Sequence, residues 1–281
     1  MEKPHQVKVN ENVIIGNDLP FALIAGPCQL ESRDHALFMA KSLVEITNDL
    51  NIPYIFKTSY DKANRSSRYS KRGIGLEKAI HIFKEIKERF GCPILTDVHT
   101  EAQCEPVSDV VDIMQIPAFL CRQTDLVVAI SKMGKTVNIK KGQFLAPWEI
   151  QNIIDKIEGT GNHKILLTER GVSFGYNTLI VDPRSIPIMS KTGYPTVIDA
   201  THAVQQPGGL GETTGGDRKM APVIARAAVS NGVGAVFIET HNDPDNAPSD
   251  GPNMIRLDEM RNLLKVLQQF DTIAKNNPVN I

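Results

Sequence analysis

Short apolar, β-branched runs alternate with longer amphipathic stretches along the chain. The runs are Ala22–Ala25, Ile52–Lys57, Pro93–Val98, Val111–Ile116, Thr136–Lys140, Lys164–Thr168, Thr196–Asp199 and Ala235–Glu239. Such alternation is the pattern of a parallel sheet wrapped by helices. Ser32 is placed to cap a helix with apolar positions at Ala36, Leu37, Ala40, Leu43 and Val44. Leu76–Phe90 sets Ala79, Ile80, Phe83, Ile86 and Phe90 on one stripe, with Gly91 at the C-cap position. Further helical stretches start near Gln123, Pro147, Asp182, Asp217 and Asp258, and Glu101–Pro106 is a short one. Eight strands in strict alternation predict a closed (β/α)₈ barrel, the TIM-barrel class, rather than an open doubly wound sheet. Ahead of them, Gln6–Val9 and Asn12–Ile15 flank a polar turn and predict a hairpin over the barrel's N-terminal end. No fixed-period repeat, low-complexity segment or linker interrupts the pattern, so residues 1–281 read as one catalytic domain.

Composition narrows this little. The length of 281 residues is close to the roughly 250 of such barrels. A net charge of −1 gives no global field to recruit nucleic acid or an anionic membrane, so attraction for anions must be local. No stretch reads as a signal peptide or membrane span. Cys28, Cys92, Cys104 and Cys121 show no paired spacing, which suits reduced thiols and a cytoplasmic protein.

Catalytic groups in this fold follow the strand ends. The second run is followed by Lys57, Lys62, Asn64, Arg65 and Ser66, the third by Asp97 and His99, and the fourth by Gln115 and Arg122. Lys140 closes the fifth, Arg170 follows the sixth, and His202 and Gln205 follow the seventh. A lone strand-terminal lysine is usually a snorkelling surface residue. Several at one mouth repel one another unless an anion is bound, and phosphate and carboxylate are the natural partners. Asn64-Arg65-Ser66 offers a cradle for a second phosphate. The loops Gln206–Asp217 and His241–Asn253 are long, polar and glycine-bearing, as functional loops and lids often are.

Cys28, His202, Glu239 and Asp250 come from the first, seventh and eighth strand ends and the last loop, which a closed barrel makes neighbours. Their mixed S/N/O donors suit a divalent transition metal such as Zn²⁺, Fe²⁺ or Mn²⁺. Taken singly, Cys28 reads equally as an inert buried thiol and Asp250-Gly251 as a turn.

The motifs KANRSS (Lys62–Ser67), TDVH (Thr96–His99), QIPAFLCRQTDL (Gln115–Leu126), NIKKGQF and SDGPNM (Ser249–Met254) resemble those of the 3-deoxy-D-manno-octulosonate-8-phosphate synthase family. The resemblance runs from about Val13 to about Leu264. It implies a homotetrameric transferase barrel that condenses phosphoenolpyruvate with D-arabinose 5-phosphate, releases phosphate, and serves lipopolysaccharide biosynthesis. It implies that Lys57, Lys62, Lys140 and Arg170 hold phosphoenolpyruvate with Gln115 and Gln205 nearby. Asn64, Arg65 and Ser66 would hold the sugar phosphate, and Arg122 would reach it from a neighbouring subunit. Lys57, Lys62, Asp97, His99, Lys140 and His202 are then the residues around the chemistry. Members of that family with Cys at the position of Cys28 are metal-dependent and those with Asn are not. The resemblance therefore makes Cys28, His202, Glu239 and Asp250 the ligand set.

Two rivals remain at this stage. A Schiff-base aldolase would use Lys57 or Lys140, although a dense anion site opposes the lowered lysine pKa it needs. A catalytically silent phosphosugar-binding barrel would be expected to have lost some of the matched positions.

Overall fold

A computed structural model of the chain describes residues 5–64, 69, 72–209 and 215–279. Eight parallel strands form its centre: β1 (Ala22–Gly26), β2 (Tyr54–Lys57), β3 (Ile94–Asp97), β4 (Ile113–Ile116), β5 (Thr136–Lys140), β6 (Ile165–Glu169), β7 (Thr196–Asp199) and β8 (Ala235–His241). Each pairs with the next, and β8 pairs with β1 from Ala235 opposite Ala22 to Glu239 opposite Gly26, so the sheet closes. The predicted (β/α)₈ barrel is the observed fold.

Strand residues alternate between two apolar environments because successive side chains point to opposite faces. Leu23, Phe56, Ile139, Leu167 and Ile238 join the helices outside, whereas Ile24, Ile55, Leu95, Leu166 and Phe237 fill the barrel. Burial on both faces makes each strand a continuous apolar run, which is why the runs are visible in sequence. The boundaries differ for local reasons. β2 starts at Tyr54 because Pro53 has no N–H for the ladder. β8 extends to His241 because Ile255–Arg256 pairs alongside Thr240 and His241.

The N-terminal hairpin pairs Val7 with Ile15 and Lys8 with Ile14. Asn10 Oδ1 accepts from the backbone N–H groups of Asn12 and Val13, which shapes its turn. Val7, Val13 and Ile15 pack in one cluster with the barrel-filling side chains, so the hairpin closes the N-terminal end.

Among the described residues eight helices cover the barrel: α1 (Arg33–Leu50), α2 (Leu76–Phe90), α3 (Cys104–Ser108), α4 (Thr124–Lys132), α5 (Gln151–Glu158), α6 (Ser185–Ser190), α7 (Ala221–Val229) and α8 (Leu257–Asn276). Ser32 Oγ accepts from His35 N–H at the start of α1, as the sequence predicts. Gly91, at φ 67°, ends α2. On α2 the buried stripe is Ala79, Ile82, Phe83 and Ile86, while Ile80 and Phe90 are half-buried. A small hairpin after β6, Val172–Ser173 with Leu179–Ile180, has no counterpart in the sequence reading. Among the described residues no helix is long and apolar enough to cross a membrane.

Candidate active site

Two-residue periodicity carries each barrel-facing row from apolar to polar toward the C-terminal end. Ile55 leads to Lys57, Leu95 to Asp97, Ile113 to Gln115, Leu166 to Thr168 and Arg170, Val197 to Asp199, and Phe237 to Glu239. Above these side chains lies a cavity of about 640 Å³, within the range of small-molecule clefts. Lys57, Lys62, Asn64, Asp97, His99, Gln115, Lys140, Arg170, His202, Gln205 and Asp250 all line it.

One side of the floor is a chain of polar contacts. Thr168 Oγ1 donates to Asn138 Oδ1 at 2.6 Å, and Asn138 Nδ2 donates to Gln115 Oε1 at 2.9 Å. Gln115 Nε2 donates to Asp97 Oδ1 at 2.8 Å. Ser59 Oγ donates to the other Asp97 oxygen at 2.7 Å and accepts from Lys62 Nζ at 3.0 Å. His99 Nε2 stands 3.9 Å from Asp97. Burial alone would raise the Asp97 pKa, but Lys57, Lys62 and His99 outweigh it and hold the carboxyl well below its usual range.

The other side is built from ion pairs. Lys57 meets Glu239, and Lys140 meets Asp199, all four buried. Phe237 lies beneath, with Lys140 Nζ 3.8 Å and Lys57 Nζ 5.4 Å from the ring centroid, where its face attracts cations. Burial lowers the Lys140 pKa; Asp199 opposes that and Lys57 reinforces it. Arg170 Nη2 donates to Gln205 Oε1 at 2.7 Å, while Arg170 Nη1 is buried without a partner among the described residues. Burial works against the charged form of Lys62, yet Cys28, Glu239, Asp97 and Asp250 together raise its pKa.

The mouth is thus not simply cationic, as the strand ends alone suggested. Lys57, Lys62, Lys140 and Arg170 stand among Asp97, Asp199, Glu239 and Asp250, four cations and four carboxylates. The acids relieve the lysines' mutual repulsion, and among the described residues nothing bonds Arg170 Nη1, which leaves it and Lys62 on the cavity wall as groups suited to an anion.

The four predicted metal donors converge. Donor atoms of Cys28, Glu239 and Asp250 all lie within 4.8 Å of one another. Cys28 Sγ is 3.3 Å from Asp250 Oδ2, and His202 Nε2 is 3.5 Å from Glu239 Oε2 and 3.7 Å from Asp250 Oδ2. His202 Nδ1 lies 2.7 Å from Asp199 Oδ2, an acceptor for the Nδ1 proton, so Nε2 is the nitrogen left to face Glu239 and Asp250. Among the described residues Glu239 Oε2 is buried with no hydrogen-bond partner, an arrangement that costs about 1–3 kcal/mol unless something binds it. Burial, Asp250 and Glu239 push the Cys28 thiol pKa up, and a divalent cation reverses that effect. The residues fit a divalent transition metal.

Glu31, His35 and His241 form a second close group. There His241 Nδ1 accepts from the backbone N–H of Asp243, so Nε2 carries the proton and donates to Glu31 Oε1 at 2.8 Å. That tautomer offers no lone pair to a metal.

Arg122 is exposed and absent from the cavity wall, and Arg65 and Ser66 lie outside the described residues. Sequence reasoning missed Ser59, Asn138, Thr168, Asp199 and Phe237. For the last four the signal was present: each sits on a strand at an interior position, Asn138 interrupting an apolar run and Thr168 and Asp199 closing theirs.

Fold and site together describe a (β/α)₈ barrel whose cavity sets four cations among four carboxylates, beside a donor group that fits a transition metal. The chain belongs to the DAHP synthetase I family, which matches residues 4–276. Curated relatives named 2-dehydro-3-deoxyphosphooctonate aldolase cover nearly all of it. The Bartonella quintana protein is 56% identical over 98% of this chain and 99% of its own length. The Granulibacter bethesdensis protein is 61% identical over 94% of both chains. The Chelativorans protein is 60% identical over 94% of this chain and 95% of its own.

Proposed function

We propose that this chain condenses phosphoenolpyruvate with D-arabinose 5-phosphate and water. The products are 3-deoxy-D-manno-octulosonate 8-phosphate, a lipopolysaccharide precursor, and inorganic phosphate. The observation that carries this reading is the convergence of Lys57, Lys62, Lys140 and Arg170 with the Cys28 donor set on one cavity, in a chain of this family. We assign residues 1–281 to one catalytic domain, working in the cytoplasm as a homotetramer.

Lys57, Lys62, Lys140 and Arg170, with Gln115 and Gln205, bind the phosphate and carboxylate of phosphoenolpyruvate. Asn64, Arg65 and Ser66 bind the sugar phosphate, joined by Arg122 of a neighbouring subunit. Cys28, His202, Glu239 and Asp250 hold the divalent metal (Zn²⁺, Fe²⁺ or Mn²⁺). When bound, it supplies orientation and polarisation of the aldehyde or of water. Water oxygen bonds to C2 while C3 bonds to the aldehyde carbon, whose oxygen takes a proton. Loss of the C2 hydroxyl proton then expels phosphate by C–O cleavage. The pocket's cations stabilise the charge that develops on the three-carbon unit. Burial makes Lys140 a readier proton donor than a surface lysine, and Asp97 and His99 line the reacting centre.

The lowered Lys140 pKa is also what a Schiff-base aldolase requires, so the test must separate the two. Purified protein should release inorganic phosphate from phosphoenolpyruvate with arabinose 5-phosphate. Erythrose 4-phosphate should give a kcat/KM about 100-fold lower, because the cradle fixes the phosphate at one distance from the aldehyde. Borohydride should trap no adduct on Lys57 or Lys140. Equal use of both sugars overturns the substrate assignment, and a trapped adduct establishes the aldolase.

A further inference from the structure

Three of the four metal donors are fixed by the barrel itself. Cys28 follows β1, Glu239 lies on β8 opposite Gly26, and Asp199 at the end of β7 orients His202. Asp250 has no such support, since it sits in the loop between His241 and Ile255. Its φ of 52° is one that residues other than glycine rarely hold, so the loop must be constrained from elsewhere. Part of the constraint is internal: Asp250 O accepts from Asn253 N–H at 2.9 Å and from Met254 N–H at 3.2 Å. A side chain at Gly251 would meet Pro244 O at 2.4 Å, so the two limbs of the loop are already in contact.

The remaining constraint comes from the loop after β7, through Arg218. Arg218 Nη2 donates to Gly251 O at 2.9 Å and to Asp245 Oδ1 at 2.6 Å, while Arg218 N–H donates to Pro252 O at 2.9 Å. One residue thereby bonds both limbs of the Asp250 loop and two consecutive carbonyls just past Asp250. Its own backbone is anchored by the two-stranded ribbon Gln205–Gln206 with Gly215–Gly216. The docking is close: a Cβ on Gly216 would stand 1.5 Å from Asn253 Oδ1, so any larger residue there must displace the Asn253 side chain.

We infer that Arg218 is a positioning residue for the metal site, clamping the loop that presents Asp250 beside Cys28 and His202. Arg218 touches none of the four donors and lies outside the cavity wall, so its effect passes through the Gly251 and Pro252 carbonyls. The inference rests on the metal-site reading above.

The test is cobalt titration of the metal-stripped full-length protein, following the thiolate-to-cobalt charge-transfer absorbance from Cys28. The unaltered protein should bind Co²⁺ with that band, and Cys28→Ala should lack it. Arg218→Gln, which removes the charge and the fork, should need about 10–100-fold more Co²⁺ for half-saturation, the usual effect of losing an outer-shell partner. Arg218→Lys keeps the charge, but its ammonium ends nearer the backbone than the Nη2 that bonds Gly251 O and Asp245, so it should recover only part of the affinity. A loop with a merely structural clamp would shift the melting temperature and leave cobalt affinity alone. Arg218→Gln with unaltered affinity therefore overturns the inference. If that variant does not fold, Asp245→Asn, at an exposed carboxylate, should weaken cobalt in the same direction, and unchanged affinity there overturns it too. Failure of the unaltered protein to show the band overturns the metal-site reading instead.

Discussion

Asp199 serves four donor groups from one buried carboxylate, Thr201 Oγ1 donating to it at 3.3 Å beside the three strongest. It pairs with Lys140, accepts from His202 N–H at 2.9 Å, and faces His202 Nδ1 at 2.7 Å. Burial would raise its pKa, but His202 and Lys140 outweigh that and keep it ionised. A carboxylate behind a metal-ligating imidazole fixes both the tautomer and the ring, so Asp199→Asn removes the charge that holds the proton on Nδ1. It also leaves Lys140 as a buried cation without its nearest acid. We expect phosphate release to fall about 10–100-fold, together with a loss of bound metal. Unchanged turnover and metal content in a folded Asp199→Asn protein would mean that His202 is oriented by something else. At this scale the sequence was legible wherever a functional group follows a strand end, as with Lys57, Asp97, Lys140, Arg170 and Glu239. It was less legible one or two residues lower, where Asn138, Thr168 and Phe237 become visible only once each strand's inward face is known.

Elements were readable to the extent that one physical signal dominated each. The parallel strands are buried on both faces and so stand out as apolar runs, and Ser32 and Gly91 mark helix ends by chemistry the backbone demands. The hairpin after β6 has strands of two residues, too short for any period to show, and it carries exposed Phe174 and Tyr176. The N-terminal hairpin was visible because Gln6–Val9 and Asn12–Ile15 flank a polar turn, and its role follows from where Val7, Val13 and Ile15 pack. It closes the end of the barrel opposite the cavity, so stability and catalysis should separate there. Ile15 is fully buried, and Ile15→Ala should cost about 2–5 kcal/mol. For a chain of this size that is a melting point lower by roughly 4–15 °C. kcat and KM below the transition should stay within about twofold of the unaltered protein, since the strand tops are held by the closed ladder. A large fall in kcat with no thermal shift would show that the plug communicates with the site.

At the scale of the whole molecule, closure is what turns a linear list of strand ends into a site, because it sets β8 against β1 and brings Glu239 to Cys28. What one chain leaves open lies at the rim. Phe119, Phe144, Trp148, Phe174 and Tyr176 are exposed on the loops after β4, β5 and β6, with Trp148 at 69% and Tyr176 at 96%. Aromatic side chains in such number at one rim suit contact with another copy of the chain. Phe119 also lines the cavity, whereas Arg122, three residues further on, is exposed and off the cavity wall. An arginine so placed serves a phosphate in its own barrel poorly and one across an interface well. Arg122→Ala and Lys140→Ala should each be nearly inactive alone. After mixing and subunit exchange, a site works when its barrel keeps Lys140 and its neighbour keeps Arg122. With equal amounts and random assembly, and one neighbour receiving each arginine as proposed, that holds for about a quarter of sites. Phosphate release should therefore return to roughly that fraction. No recovery, with exchange verified by mass spectrometry of differently tagged chains, would place Arg122 in its own barrel's site and remove the reason for assigning the rim aromatics to a catalytic interface.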